Sequence, residues 1–393
     1  MKRIKQTDLY VWCKKIYKEY KQRNYLVNIE RKILDDNELL IIKNDFWDGI
    51  TKYLQNITIH DRYGFFSDNA KEETIYSYVY YLMLCHYVKY PVPNRILCII
   101  KEKLLKVQHK DGFCYDINLI NYNYLNGDGW GRRHFIPHYF IALNSIGCVP
   151  RYHFNYLSPF YNKEFVYEFW NSLEWKNVWS SSNVFMNIVC TLQYERDYMG
   201  NMDVQDAIAA SQKWLLEHIR EDCGMWYEGN IKKKTSKMEA IRAAYHLYPV
   251  LIYDHIDFPY KEKAIDLILE CQNMFGGFDI RKNSSACEDI DAIEPLIRLS
   301  ILCPEYRKEE IRLSIRKAFG WVIQNQMPDG GCVFRLGEDF NYGHVNLTSK
   351  VNQSNLFGTW FRVLSVCYMY NYLIEEDQIE LFRLPGYEFS LNI

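Results

Sequence analysis

Apolar residues recur at helical intervals through most of the chain, and short glycine-rich segments interrupt them. The clearest periodic stretch begins near Ser285, where the residues expected on one helix face are Ala292, Ile293, Leu296, Ile297 and Leu299. Comparable patterns begin near five other positions: Glu73, Arg132, Asn183, Glu239 and Asn355. The periodicity predicts a helix at each of these six places.

The glycine-rich segments resemble one another. The clearest copies span 108–113, 272–278 and 326–331, and weaker copies span 62–66 and 223–226. The intervals between their glycines are 48, 112, 52 and 54 residues. The doubled interval predicts a degenerate sixth copy at 175–182. Repeats of this length are typical of stacked helical units that bury their faces against neighbours.

The repeats predict an all-α fold. Six units, each an outer helix, a glycine-rich turn and an inner helix, would close into an α/α toroid; an open solenoid uses the same local units and remains the alternative. We expect residues 1–60 to form an N-terminal helical segment that packs on the ring, and residues 61–393 to form the toroid domain. No linker or low-complexity tract separates further domains.

Composition and charge restrict the partners. The formal net charge is -2, and short lysine-rich patches do not indicate a nucleic-acid partner. There is no apolar run long enough to span a bilayer, although peripheral membrane contact stays compatible with the sequence. The N-terminus lacks the apolar core of a signal peptide, and the 12 cysteines are scattered. We therefore expect a cytoplasmic protein with reduced thiols; the sequence does not determine its oligomeric state.

Aromatic residues make up 16% of the chain, more than a helical core requires, and many lie in or just after the turns. Aromatic faces stabilise a passing cation and also stack on sugar rings. Each of these side chains could equally serve only to pack its turn.

The segments Gln-x-x-x-Gly-Gly-Phe at 272–278 and Gln-x-x-Asp-Gly-Gly at 326–331 resemble the repeat shared by squalene and hopene cyclases, other class II terpene cyclases and the β subunits of protein prenyltransferases. The resemblance extends from about Asp61 to Leu373. It implies the toroid fold, with the chemistry at the N-termini of the inner helices, which point into a cavity. It says less about function, because the turns themselves do no chemistry.

The fifth inner helix begins Cys287-Glu288-Asp289-Ile290-Asp291, where the resemblance places the Asp-x-Asp-Asp motif of class II cyclases. Matching Asp291 to the last aspartate puts Ile290 at the position of the acid. Either Asp289 takes over, or the chain does not protonate its substrate in this way. Glu288, Asp289 and Asp291 are therefore the candidate catalytic residues, while the competing interpretation is that they cap the helix.

Prenyltransferase β subunits bind zinc through an Asp-x-Cys pair and a distant histidine. Here the pair is reversed, as Cys287-x-Asp289, and Gly358 stands where the histidine would fall. His344 would have to complete the site. We therefore expect no metal site and no certain cofactor, with Mg²⁺ required only if the substrate is a diphosphate.

The second inner helix begins with Trp130, Arg132, Arg133 and His134. Cationic side chains at a helix N-terminus are suited to a diphosphate or a carboxylate, although an arginine there could instead pair with an acidic neighbour. Further candidate substrate-binding residues at the other helix starts are Asn183, Glu239, Arg242, Asn355, Trp360 and Arg362. The polar stretch 336–353 is a candidate lid.

Three functions follow from these features. The first is a terpene-cyclase-like enzyme, an isomerase or lyase that cyclises a small isoprenoid substrate after protonating it in an aromatic cavity. The second is a carbohydrate-active toroid enzyme, a lyase, hydrolase or epimerase acting on an acidic sugar. The third is a non-catalytic binding ring. The polarity of the cavity distinguishes the first two.

Overall fold

The computed structural model describes residues 29–119 and 130–386, except the side chains of residues 130–132. This part of the chain is predominantly helical, as the periodicity predicts. Its α-helices are α1 (Asp36–Ile59), α2 (Ile75–Tyr87), α3 (Asn94–Val107), α4 (Trp130–Ser145), α5 (Lys163–Ser172), α6 (Val178–Tyr198), α7 (Gln205–His218), α8 (Lys234–Tyr253), α9 (Lys261–Glu270), α10 (Ala286–Leu302), α11 (Lys308–Ile323) and α12 (Leu356–Leu373).

Short elements complete the described part of the chain. Three 3₁₀ segments span Ile117–Leu119, Asn155–Tyr161 and Met202–Val204. Strands β1 (Phe340–Asn341) and β2 (Thr348–Ser349) form an antiparallel hairpin in which Phe340 pairs with Ser349 and Asn341 with Thr348.

The even-numbered helices are buried on almost every side. Residues 75–85 of α2 and 356–370 of α12 are all buried, and a helix that is apolar all round belongs in the interior. Each even-numbered helix contacts the next, from α2 to α12, and α12 contacts α2 again. The series of contacts therefore returns to the helix at which it begins.

The odd-numbered helices bury only one side. In α3, for example, the buried residues are Ile96, Ile100 and Leu104, which recur every four residues as in an amphipathic helix. Helix α3 contacts α2 and α4, α7 contacts α6 and α8, α9 contacts α8 and α10, and α11 contacts α10 and α12. Helix α5 packs on α7, and α1 packs on α12.

Two of the repeated glutamines hold their turns to the next outer helix. Gln272 Nε2 donates to the carbonyl of Gly276 in its own turn and to that of Ser314 in α11, both at 2.8 Å. Gln326 Nε2 donates to Gly330 and to Phe46 in α1, both at 2.9 Å. The repeated glutamine thus has a structural role, since its hydrogen bonds link a turn to a neighbouring helix. Gln326 in this way joins α1 to the turn that precedes α12.

The turn glycines leave no room for a side chain. Gly276 and Gly330 have φ of 102° and 92°, a conformation that disfavours other residues. A Cβ on Gly276 would collide with the Lys317 carbonyl, and one on Gly330 with the Gly49 carbonyl. Close backbone approach therefore explains why glycine recurs at these positions.

The inner helices begin near the predicted positions, with two exceptions. Four starts agree within two residues, whereas α6 and α8 begin five residues before Asn183 and Glu239, respectively. The first turn of α8 is polar, Lys234-Thr-Ser-Lys, and in α6 the polar run Ser180-Ser-Ser follows Val178 and Trp179 and interrupts the apolar pattern. Apolar periodicity alone therefore placed these two starts too late.

The described residues contain no helix that is long and apolar enough to cross a membrane. Eleven cysteines lie in the described part of the chain, and all of them are free thiols.

Candidate active site

A cavity of about 390 Å³ lies among the inner helices, beneath the β1–β2 hairpin. It is lined by residues of α4, α6, α8, α10 and α12, most of them near the N-terminal ends of their helices. Half of its fourteen lining residues are aromatic: Trp179, Tyr245, Phe334, Phe340, Tyr342, Phe357 and Phe361.

The aromatic residues on the hairpin side form one packed wall. The ring of Phe340 stacks on that of Phe334 with centroids 4.1 Å apart, and lies nearly parallel to Phe357 at 5.6 Å. Phe357 in turn contacts Tyr342 and Phe361, each at 4.8 Å between centroids. Helix α12 and the hairpin therefore present a continuous aromatic surface to the cavity.

Among the described residues that line the cavity, Asp291 of α10 carries the one carboxyl group. Its side chain lines the cavity and the residue is only 4% exposed. No hydrogen-bond partner for this carboxyl occurs among the described residues. Burial raises the pKa of Asp291 well above its usual range, and the acidic neighbours add to this, although the positive charge of Arg242 opposes it. Burial therefore favours the protonated form of Asp291.

Asp289 does not line the cavity. It is fully buried, where its Oδ1 accepts the backbone N–H of Phe278 at 2.9 Å and its Oδ2 accepts Trp321 Nε1–H at 2.8 Å. Oδ2 also forms an ion pair with Arg362. Asp289 thus joins a glycine-rich turn, α11 and α12, and the expectation that it could replace the missing acid is not supported by its position.

Glu288 caps the helix that carries it. Its carboxylate accepts the Ser285 backbone N–H at 2.7 Å, and the Ser285 hydroxyl accepts the N–H of Glu288, which forms a capping box. The carboxylate also pairs with Arg335 at 2.5 Å and with Arg242 at 2.9 Å. Burial alone would raise the pKa of Glu288, but Arg335, the Ser285 N–H and Arg242 together lower it. The capping interpretation therefore fits Glu288.

Helix geometry explains why the predicted acidic cluster is divided. Successive residues of an α-helix are rotated by about 100°, so positions 289 and 291 lie about 200° apart and point in nearly opposite directions. Asp289 faces the outer layer and Asp291 the cavity.

Two other predicted residues also line the cavity. His134 Nδ1 lies 3.1 Å from the hydroxyl of Tyr342 on the hairpin. Asn183 Nδ2 donates to the Trp179 carbonyl at 2.7 Å. These contacts connect α4 to the hairpin and brace the first turn of α6.

The predicted anion site is only partly described. The side chains of Trp130 and Arg132 lie outside the described residues. Arg133 does not line the cavity, because its guanidinium lies over the ring of Phe160, 5.4 Å from the centroid. Phe160 belongs to the 3₁₀ segment Asn155–Tyr161, so Arg133 is directed away from the cavity.

The remaining predicted substrate-binding residues form the frame of the site. Glu239 pairs with Arg242 at 2.6 Å, and Arg242 also forms an ion pair with Glu288. Asn355 is the N-cap of α12, accepting the N–H of Gly358 at 2.7 Å. Trp360 is buried beside Tyr80. None of these is among the residues that line the cavity.

Arg362 is also structural. It is fully buried, pairs with Asp289, and donates through Nη2 to the Ser284 carbonyl at 3.0 Å and to Asn325 Oδ1 at 3.2 Å. The prediction that it binds substrate is not supported, since its charge is used to join α12 to α10 and to the end of α11.

The inference from helix starts missed Tyr245 and His246, which lie in the second half of α8 and line the cavity. His246 Nδ1 lies 2.9 Å from the Ser182 hydroxyl, and burial lowers the pKa of His246 to about 3. Burial, followed by the neighbouring His138 and His246, also lowers the pKa of His134 well below its usual range. The sequence signal that could have identified His246 is its position four residues after Arg242, which puts both residues on one face of the helix.

No group of three or more histidine, cysteine, aspartate or glutamate side chains is placed to hold a metal ion in the described ranges. Of the weak zinc candidates, Cys287 lines the cavity, whereas Asp289 is directed away from it.

The candidate lid forms one wall of the cavity. Residues 340–343, within the stretch 336–353, line it. The hairpin is held to another repeat, since Lys71 N–H donates to Asn346 Oδ1 at 3.2 Å and the Ser67 hydroxyl donates to the Thr348 carbonyl.

Comparison with models of known protein families gives no match for this chain, and comparison with curated protein sequences gives none either. The function must therefore be argued from the geometry and chemistry of the cavity.

Proposed function

We propose that this protein is an α/α-toroid enzyme of the terpene-cyclase type, which protonates an isoprenoid chain and cyclises it in the aromatic cavity. One observation carries the proposal. The Asp291 carboxyl, whose protonated form is favoured by burial, faces a space whose walls are largely aromatic. An acid and a cation-stabilising surface are the two parts that such a reaction needs.

The toroid is supported by the order of the helix contacts. The contacts run from α2 through the even-numbered helices to α12 and return to α2, which an open solenoid would not require. The hydrogen bond from Gln326 to Phe46 also joins the last turn to α1, the first outer helix.

In the first step, Asp291 donates its proton to a carbon of a substrate double bond. The π electron pair forms the new C–H bond and leaves a cation on the adjacent carbon, which the π pair of a second double bond attacks to close a ring. Arg242, whose charge favours the ionised form of Asp291, stabilises the carboxylate that remains.

The cation is then surrounded by aromatic faces. Phe340, Phe357 and Phe361 offer negative quadrupole density without a lone pair that could trap a cation. Phe340 and Tyr342 place part of this wall on the hairpin, and an apolar wall shields the cation from water, which would otherwise capture it.

An acidic sugar fits the cavity less well. Uronate recognition uses guanidinium and amide groups, whereas the arginines that frame the described site, Arg242, Arg335 and Arg362, already pair with Glu288 and Asp289. The proposal includes no diphosphate group, since Arg133 is directed at Phe160.

Incubation with linear isoprenoids tests the proposal. Farnesol, geranylgeraniol and squalene serve as probes in D₂O, and the products are analysed by gas chromatography and mass spectrometry. We expect a cyclic isomer of at least one probe that has gained a single deuterium from the acid, and we expect Asp291→Asn to form none.

A melting curve of Asp291→Asn serves as the folding control. If the wild-type protein binds these probes without converting any of them, the binding-ring hypothesis replaces the enzyme. Conversion that persists at the wild-type rate in Asp291→Asn would exclude Asp291 as the acid.

A further inference from the structure

We propose that His246 is the base that ends the reaction, and that Ser182 is a positioning residue that holds the His246 ring in the required tautomer. This inference deepens the proposed function and rests on it. It concerns the second proton transfer, in which the cyclised cation becomes a neutral alkene.

The balance of the reaction requires such a base. After ring closure the cation must lose a proton from a neighbouring carbon, and the electrons of that C–H bond become the new double bond. The proton passes to a lone pair on the base, so that the hydrocarbon product is an isomer of the substrate. Proton exchange with solvent then returns the base to its neutral form and Asp291 to its acid form.

His246 is placed to do this. It lines the cavity from α8, a helix that packs against α10, which carries Asp291. Residues four apart share a helix face, so His246 lies one turn beyond Arg242, the arginine that favours ionised Asp291. The proposed acid and base thus border the same space from adjacent helices.

The Ser182 contacts indicate the tautomer. Its hydroxyl donates to the Trp179 carbonyl at 3.2 Å, a common interaction of serine within a helix. A hydroxyl has one proton, so its oxygen accepts the second contact, from His246 Nδ1–H at 2.9 Å. The proton on Nδ1 leaves the lone pair on Nε2, the other ring nitrogen of a neutral imidazole.

The protonation state supports the same role. Burial lowers the pKa of His246 to about 3, so the ring is neutral near neutral pH, and burial also favours the protonated form of Asp291. One neutral acid and one neutral base then exist together, as two successive proton transfers require.

Nitrogen NMR tests the tautomer without any substrate. In ¹⁵N-histidine-labelled protein, we expect the His246 signals of a neutral Nδ1–H ring, assigned by their loss in His246→Gln. Ser182→Ala should convert this ring at least partly to the Nε2–H form. Ser181→Ala is the matched control, because the Ser181 hydroxyl donates to the Glu174 carbonyl instead. A wild-type His246 with its proton on Nε2 would overturn the proposal.

Product analysis tests the base, using whichever of farnesol, geranylgeraniol or squalene the wild-type protein cyclises. His246→Gln should still consume the probe, because Asp291 is intact. The ratio of the wild-type alkene to alcohols and other alkene isomers should fall at least about tenfold, since a positioned base contributes about 10²-fold or more. His138→Gln, which removes a buried histidine outside the cavity lining, should keep the wild-type ratio.

The outcomes separate this inference from the proposed function. An unchanged product ratio in folded His246→Gln, or a changed ratio only in His134→Gln, would assign the base elsewhere while Asp291 remains the acid. If the wild-type protein converts no probe, the proposed function fails, and the proposed base fails with it even where the tautomer is as expected.

Discussion

Two carboxyl groups of α10, two residues apart, lie in opposite chemical environments. Asp289 is surrounded by donors, namely the Phe278 N–H, the Trp321 indole N–H and Arg362. Asp291 faces an aromatic cavity, where burial favours its neutral form. A buried charge that is paired supports the fold, whereas an unpaired acid group keeps its proton and is available for chemistry.

Replacing Asp291 with asparagine should abolish turnover without destabilising the protein. The folded-state pKa of Asp291 is raised, so the folded protein binds a proton that the unfolded chain releases above about pH 4. Stability from this group is therefore present at low pH and is lost as pH rises toward the folded-state pKa. Asparagine has no such penalty, so the variant should gain stability relative to wild type as pH rises above about 4. Thermal melting at several pH values and the isoprenoid assay check this.

Replacing Asp289 with asparagine should instead destabilise the fold. The substitution leaves the fully buried Arg362 without its charged partner, and breaking a buried ion pair costs about 3–5 kcal/mol. Urea unfolding measures the loss. A free energy of unfolding equal to that of Asp291→Asn would show that the two carboxyl groups do not differ as described.

At the scale of elements, the glycine-rich turns determine how each outer helix meets the next repeat. In two of the turns the first residue, a glutamine, donates both to its own turn and to the following outer helix, as Gln272 does to α11 and Gln326 to α1. These contacts use backbone carbonyls, so they depend on the path of the chain more than on the side chains of the partner helix.

Gly330→Ala should be more destabilising than Gly200→Ala. Both glycines have positive φ, 92° and 73°, so both substitutions bear a backbone strain of about 1–2 kcal/mol. Only at position 330 would the new Cβ also collide with the Gly49 carbonyl, whereas nothing lies within 4 Å of it at position 200. The difference in free energy of unfolding reports the turn-to-helix contact, and equal losses would contradict it.

At the scale of the whole molecule, the interior of the helix assembly holds buried histidines. Burial lowers the pKa of His138 to about 4 and that of His246 to about 3. In the unfolded chain a histidine titrates near about pH 6.5. A neutral ring in the core therefore favours folding above that pH and opposes it as the solution is acidified.

His138→Gln should gain stability relative to wild type as pH falls from about 6.5 to about 4. In this window His138 is protonated in the unfolded wild-type chain but stays neutral in the folded protein. The free energy of unfolding of the wild type therefore falls by up to about 1.4 kcal/mol per pH unit. The glutamine variant lacks this term. Urea unfolding of both proteins at several pH values measures the difference, and a difference that does not vary with pH would mean that His138 is not held neutral.

Local patterns in the sequence were sufficient for several features. The apolar periodicity predicted an all-α fold and placed four inner-helix starts within two residues, because helix period and capping depend on residues a few positions apart. The repeated glycines marked the turns, since positive φ and close backbone approach favour that residue. The capping box of Ser285 and Glu288 is local in the same sense.

The tertiary structure alone decided which side chains meet. The sequence grouped Glu288, Asp289 and Asp291 as one acidic cluster, but Asp291 alone of these reaches the cavity. His246, in the second half of α8, joins it there. The cavity forms where helices from five repeats and one hairpin converge, and contacts between such distant parts of a chain depend on packing angles that no short segment encodes.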